Sequence, residues 1–291
     1  MFPTALKTTI EKTLSVRLNK LIVINSSKFV NGGCINKTAR ISTNEGFFFV
    51  KWNDAHLYPG MFECEAKGLN LLRKASCIHV PQPLLVNKSG RSAFLILEYI
   101  ATGRKSARFW QNFGHSLAQL HQHTHHQFGL NHHNYIGSLR QFNTFCNNWV
   151  TFFIEQRLEK QIKLAFNDKK ISKQHLNQFR NLFARLPNLL PNEPPSLLHG
   201  DLWSGNFIVD AEGYACIFDP AVYYGHREAE LAFTTLFGGY ADEFYQAYQQ
   251  SYPMEPNFNE RIDLYNLYPL MVHVNLFGAS YLSSVEQILG R

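Results

Sequence analysis

Apolar and polar positions alternate with a period of two through much of the first hundred residues. In GFFFVKWN (46–53), Phe47, Phe49 and Lys51 share one face and Phe48, Val50 and Trp52 the other, as in a strand. LIVINSSKFVNGGCINKTARIST (21–43) carries β-rich runs on either side of Gly32-Gly33, a strand-turn-strand signal. AFLILEYI (93–100) is a strongly apolar strand after a loop containing Pro81 and Pro83. Between them the period changes: in MFECEAKGLNLLR (61–73), Phe62, Glu65, Leu69 and Leu72 fall on one helical face. From about residue 101 helical spacing dominates, through Phe109, Phe113, Leu117 and Leu120 and then Trp149, Phe153 and Leu158. LPNLLPNEPP (186–195) reads as a proline-rich connector, and the aromatic-rich stretch from about Leu231 as helix. These elements predict an α+β fold of two lobes. A small antiparallel sheet with one main helix is expected over 1–100, and a larger, mostly helical lobe over 101–291.

Two residues break the apolar pattern. Lys51 lies inside an apolar strand, and Glu65 interrupts the apolar face of the following helix. A bare ammonium or carboxylate is costly to bury, and pairing them explains both; the alternative is that each reaches solvent at a lobe edge.

The strongest chemical signal is LLHGDLWSGNFIVD (197–210). NFIV runs out as a strand, DAEG turns and YACIF runs back, which returns Asp219 to the end where Asn206 began. Asp201 stands on the loop just before. Asp and Asn often cap turns singly. The joint pattern H-x-D-x4-N, with an Asp thirteen residues further on, is specific: it is the layout of kinase-like phosphotransferases. Asp201 would orient or accept the proton of an attacking hydroxyl, and Asn206 and Asp219 would hold Mg2+ on ATP phosphates. Lys51 and Glu65 then become the phosphate-orienting pair. Gly32 and Gly33 let backbone approach phosphates, and Glu98, Tyr99 and Ile100 form the hinge against the adenine edge.

The departures from protein kinases point to small-molecule kinases of the aminoglycoside and choline kinase type. Gly200 replaces the catalytic-loop arginine, Pro220-Ala221 follow Asp219 in place of Phe-Gly, and no Ala-Pro-Glu triplet occurs downstream. Trp203 stands where protein kinases usually carry a lysine. An indole offers a flat apolar face to a sugar and an N–H to a hydroxyl, or else packs beneath the loop.

HGDLWSGN, DPAVYYGHREAELAFTTLFGG and FGLNHHNYIG…WVTFFIEQRL resemble the fructosamine kinase (ketosamine-3-kinase) family. GGCIN, FVKWN and MFECEAKGL resemble its first lobe, and NLFGASYL (275–282) its last helices. The resemblance implies ATP-dependent phosphorylation of the sugar 3-hydroxyl in a ketosamine such as a ribulosamine or fructosamine on a glycated amine or protein, leading to deglycation. It places Trp203 and the region from His226 to Glu230 near the sugar or in its support, with Arg227, Glu228 and Glu230 as buried ion pairs the alternative. Glu230 stands where an Asp is expected. Family members with a cysteine at the Cys34 position can form a loop-to-loop disulfide dimer, so the resemblance makes Cys34 either a redox-switch position, in a monomer or redox-sensitive dimer, or an unreactive small residue.

Composition adds limits. Hydrophobic residues make up 45% of the 291 and charged residues 17%, enough apolar material for a real core. The net charge of +6 favours anionic partners such as nucleotides, but the basic residues are scattered and no nucleic-acid motif accompanies them. The five cysteines are odd in number and lack a CxxC pair, a reduced, cytoplasmic set. No signal-peptide core and no 18-residue apolar stretch is present, so neither a membrane nor a nucleic acid is an expected partner. The histidine-rich HQHTHHQFGLNHH (121–133) lacks metal-ligand spacing and reads as a loop or exposed helix end. A pseudokinase would be expected to lose Lys51, Asp201 or Asp219, and all three are present.

Overall fold

The computed structural model describes residues 2–30 and 35–290. Gly32, Gly33 and Cys34, the expected phosphate-loop glycines and redox position, lie outside the described residues.

Five antiparallel strands form the first sheet: β1 (Ile24–Phe29), β2 (Lys37–Thr43), β3 (Gly46–Asp54), β4 (Pro83–Ser89) and β5 (Ser92–Glu98), in the order β1-β2-β3-β5-β4. The period-two pattern decides what each face covers. Phe48, Val50 and Trp52 of β3 join Phe94 and Ile96 of β5 in one apolar cluster. On the opposite face Leu95 and Leu97 pack with Phe62, Leu69 and Leu72 of α2 (Met61–Ala75). Lys51 pairs with Leu95 and Thr38 across the sheet and so points to the α2 side.

One helix in this region was not expected. α1 (Thr4–Leu18) buries Leu6, Ile10 and Leu14 against the first face of the sheet. Its apolar stripe is only one residue wide per turn, and the rest of the helix is polar, so the periodic signal is faint. It is tied down where the Glu11 carboxylate accepts the Ile24 amide at 2.8 Å.

The remaining chain is mostly helical: α3 (Phe109–His121), α4 (Trp149–Phe152), a π-helical segment (Phe153–Leu158), α5 (Glu159–Asn167), α6 (Lys173–Leu189), α7 (Arg227–Leu236), α8 (Asp242–Ser251), α9 (Phe258–Phe277) and α10 (Leu282–Leu289). Three short strand pairs sit among them. β6 (Asn134–Ile136) pairs with β7 (Leu139–Gln141), β8 (Ser196–Leu198) with β11 (Tyr223–Gly225), and β9 (Phe207–Val209) with β10 (Ala215–Ile217), all antiparallel. The expected connector at 186–195 is a connector only in its second half. α6 runs through Pro187 to Leu189, and Leu186 is fully buried, so packing holds the last turn although the proline donates no hydrogen bond. No helix among the described residues is long and apolar enough to cross a membrane.

Candidate active site

The two short strand pairs β8–β11 and β9–β10 build the site. β8 delivers the chain into the loop of His199 to Asn206. The β9–β10 hairpin returns it, and Phe218 donates its amide to the Asn206 carbonyl at 3.0 Å. Asp219 therefore stands beside Asn206, as the hairpin reading expects. Its φ of 58° places it in left-handed backbone, uncommon for a residue with a side chain and a local cost the surroundings must cover.

Lys51 links this loop to the first lobe. Its Nζ lies 2.7 Å from Glu65 Oε1 and 2.8 Å from Asp219 Oδ1. Lys51 and Glu65 are 2% and 9% exposed, so neither reaches solvent and each supplies what the other's burial requires. Burial disfavours the charged form of both. For Lys51 the two carboxylates outweigh it, raise its pKa and hold the ammonium protonated.

Asp201 is half-buried. Asn206 Nδ2 donates to its carbonyl at 2.7 Å and to Oδ2 at 2.9 Å. Burial pushes the Asp201 carboxyl well above the usual carboxylate range. The Asn206 hydrogen bond opposes this, while the charges of Asp219 and Glu230 reinforce it. The direction suits a group that takes up a proton.

Gly200 is the residue this loop cannot replace. Its φ is 83°, and a Cβ would run into the Ala221 carbonyl oxygen. Close approach of the 199–201 and 219–222 segments thus accounts for glycine where protein kinases carry arginine. His199 is fully buried and bridges the same segments. Nε2 lies 2.9 Å from the Phe218 carbonyl, and Nδ1 accepts the Asp201 amide at 3.3 Å, which assigns the proton to Nε2.

The structure separates the three charged residues from Arg227 to Glu230. Arg227 pairs with Glu193, and Glu228 with Arg261 at 2.5 Å, as buried ion pairs away from the loop. Glu230 does something else. Its carboxylate accepts the His199 amide at 3.0 Å, the Gly200 amide at 2.6 Å and a hydrogen bond from His121 Nε2 at 2.9 Å. Burial would raise its pKa, but the His121 and backbone hydrogen bonds and the nearby His199 outweigh burial and hold it charged. Sequence reasoning could note the buried-side spacing of Glu230 on α7, but not which backbone it grips.

Trp203 is 36% exposed. Its ring lies against Gly205, leaving no room for a Cβ there, and its edge meets Phe237 with ring centroids 6.1 Å apart. It therefore packs on the loop and lines the cleft at once. That cleft, of about 190 Å3, is also lined by Lys51, Glu65, Asp201, Asn206 and Asp219, with Asn134–Gly137 on one wall and His273 and Phe277 of α9 on another. His273 and Phe277 were not singled out in the sequence. His273 Nδ1 lies 2.7 Å from the Pro269 carbonyl, and burial lowers its pKa although that hydrogen bond opposes the shift.

The hinge residues are half-buried. The Glu98 amide is committed to the Gln82 carbonyl at 2.9 Å, and the Tyr99 ring leans on Phe47 at 5.8 Å with Arg40 over both. In the histidine-rich segment, His125 stacks on His126 and Tyr224. Among the described residues no group of three His, Cys, Asp or Glu side chains converges as a metal site.

Comparison with known proteins agrees with this geometry. The sequence profile described as fructosamine kinase matches residues 6–291. A probable ketoamine kinase of Vibrio parahaemolyticus is 42% identical over 90% of this chain and 90% of its own length. One of Enterococcus faecium is 40% identical over 89% and 92%. The chloroplastic protein-ribulosamine 3-kinase of Arabidopsis thaliana is 38% identical over 89% of this chain and 80% of its own length. The crystal structure of a candidate fructosamine-3-kinase of Haemophilus somnus superposes with a TM-score of 0.88 at 28% identity, covering 98% of both chains. With the kinase-like fold, the cleft and these relatives together, the chain belongs to the fructosamine kinase family.

Proposed function

We propose that the chain is an ATP-dependent kinase for the 3-hydroxyl of ketosamines, such as ribulosamines or fructosamines on glycated amines or proteins. One observation carries the residue assignment. Asp201, Asn206, Asp219 and the Lys51–Glu65 pair, drawn from four separate stretches of chain, line one cleft beside Trp203.

In this reading Asp201 orients the acceptor hydroxyl and takes its proton, and Lys51, fixed by Glu65, positions the ATP phosphates. Tyr99 and Ile100 present backbone to the adenine edge, since the Glu98 amide is already engaged. Asn206 spends its Nδ2 on Asp201, so the oxygen end of its carboxamide and the Asp219 carboxylate remain as hard-oxygen ligands. That pair fits Mg2+, which keeps water and takes phosphate oxygens for its other positions. The metal would neutralise phosphate charge. Trp203 gives the sugar a flat apolar wall. Phosphate at the 3-position makes the ketoamine unstable, and its loss frees the amine.

ATP consumption over a panel of ribulose-lysine, fructose-lysine, free sugars and an aminoglycoside tests the substrate class. Turnover of the two glycated lysines is expected, and turnover confined to the free sugars and the aminoglycoside overturns the reading. Trp203→Ala is expected to raise the acceptor KM about three- to tenfold, in line with the worth of an aromatic contact, with nucleotide affinity within about twofold. A fall in thermal stability that matches the loss of activity, with KM unchanged, would make Trp203 a packing residue only.

A further inference from the structure

Arg157 is fully buried, yet no acidic side chain pairs with it among the described residues. Its guanidinium lies over the rings of Tyr223 at 3.9 Å and Phe152 at 4.5 Å. Nη2 donates to Asn143 Oδ1 at 2.8 Å and Nη1 to the Phe142 carbonyl, while Nε has no partner. The residue also sits in the π-helical segment, an irregularity that costs helix geometry and is often kept for a function. A buried cation without a counter-ion is expensive, so what it holds becomes the question.

It holds a chain of buried amides. Asn143 Nδ2 donates to Asn134 Oδ1 at 2.9 Å, and Gln141 Nε2 to the same oxygen at 2.9 Å. Gln141 Nε2 also donates to the Ala221 carbonyl, and Asn134 Nδ2 to the Val222 carbonyl, both at 2.8 Å. Tyr268 donates its hydroxyl to Gln141 Oε1 at 2.8 Å, which fixes that amide the right way round. Asn134, Gln141 and Asn143 are 5%, 1% and 0% exposed. The chain therefore ends on the backbone two and three residues after Asp219. From the other side the Ala221 amide donates to the His199 carbonyl at 2.9 Å.

We propose that Arg157, Asn143, Asn134 and Gln141 form a lock that positions Asp219. By gripping the carbonyls of Ala221 and Val222, the lock holds Asp219 in its left-handed conformation, within reach of Lys51 and turned to the metal position. Arg157 is a positioning residue in this scheme: its fork orients Asn143, and through it Asn134 and Gln141. A protein kinase controls the corresponding segment by phosphorylating an activation loop. Here the segment is tied permanently to a neighbouring hairpin, so the kinase is built in one arrangement and needs no such switch. The inference rests on the reading of Asp219 as a metal ligand.

The test is the dissociation constant of ADP, measured by calorimetry with Mg2+ and with EDTA, for the wild type, Asp219→Asn, Gln141→Met and Tyr268→Phe. Wild-type binding is expected to tighten with Mg2+, and Asp219→Asn to lose that gain. If the wild type shows no such gain, the metal-ligand reading itself is wrong. Gln141→Met keeps the volume but removes the donor, and is expected to weaken Mg2+-dependent binding about tenfold while binding in EDTA stays within about twofold. Tyr268→Phe leaves the lock in place but frees Gln141, and should move the same quantity in the same direction by about threefold. If Gln141→Met does not fold, the Tyr268→Phe result decides alone. A full Mg2+ gain in whichever of these variants folds, with only the thermal midpoint lowered, overturns the lock and leaves the amides a structural role.

Discussion

Replacing Asp201 with alanine is expected to lower phosphotransfer by about 10³-fold, the middle of the range for a positioned general base. Two further outcomes separate this from general damage. Nucleotide affinity should stay within about twofold, because Lys51 and Asp219 hold each other without Asp201. Thermal stability should hold or rise. Burial and the nearby charges of Asp219 and Glu230 raise the Asp201 carboxyl well above its usual range, so its charged form is disfavoured where it stands. Removing such a group relieves repulsion at the expense of function. Asn206 loses one acceptor, Asp201 Oδ2, but retains the backbone carbonyl at 2.7 Å. Steady-state kcat, ADP binding and a melting curve on one preparation check all three. Residual turnover within tenfold of wild type would show that another group handles the proton.

How much of this site could be read from sequence depends on whether a local pattern carries the geometry. The Asn206–Asp219 juxtaposition was legible because a hairpin brings them together through turn chemistry and two short apolar runs alone. The Lys51–Glu65 pair was legible because each is an anomaly in a strong periodic pattern, and strand followed by helix leaves few ways to place them. What stayed hidden depends on contacts distant in sequence or on signals too weak to stand out. α1 follows a single line of Leu6, Ile10 and Leu14 within a polar helix. The π-helical segment leaves Phe153 and Leu158 five residues apart, about 140° round a regular α-helix, a break that one pair of positions does not make stand out. Asn134, Gln141 and Asn143 look like ordinary loop amides. Only the fold shows that Asn134 and Gln141 meet carbonyls 88 and 80 residues away and that Asn143 braces Asn134. Gly200 lies between: its absence of a side chain was visible as a departure from protein kinases, but its reason, the Ala221 carbonyl, was not.

Glu230 carries the other large effect. Its carboxylate is the common acceptor for three buried donors, two of them backbone amides of the loop from His199 to Asn206, and it is 3% exposed. Glu230→Ala leaves all three unsatisfied in a site without a substitute acceptor, and should cost about 3–5 kcal/mol of stability. For a chain of this size that corresponds to a fall in melting midpoint of about 5–8 °C. Activity should fall as well, by about 10²-fold when assayed well below the midpoint, because Asp201 follows directly on the two amides that Glu230 fixes. Glu230→Gln discriminates between charge and shape. It fills the same space and keeps one acceptor oxygen, but turns an N–H toward a donor, so it should lie nearer to alanine than to wild type in both readouts. Glu230→Asp keeps the charge but shortens the reach by one methylene. It should recover most of the stability and less of the rate, since the amides are held from further away. The buried ion pairs nearby set the contrast. Breaking Arg227–Glu193 should destabilise the protein with kcat intact well below the midpoint, because neither partner touches the loop. If Glu230→Ala behaves in that way, with a lower midpoint but an unchanged kcat, Glu230 supports the fold and not the geometry of the reaction.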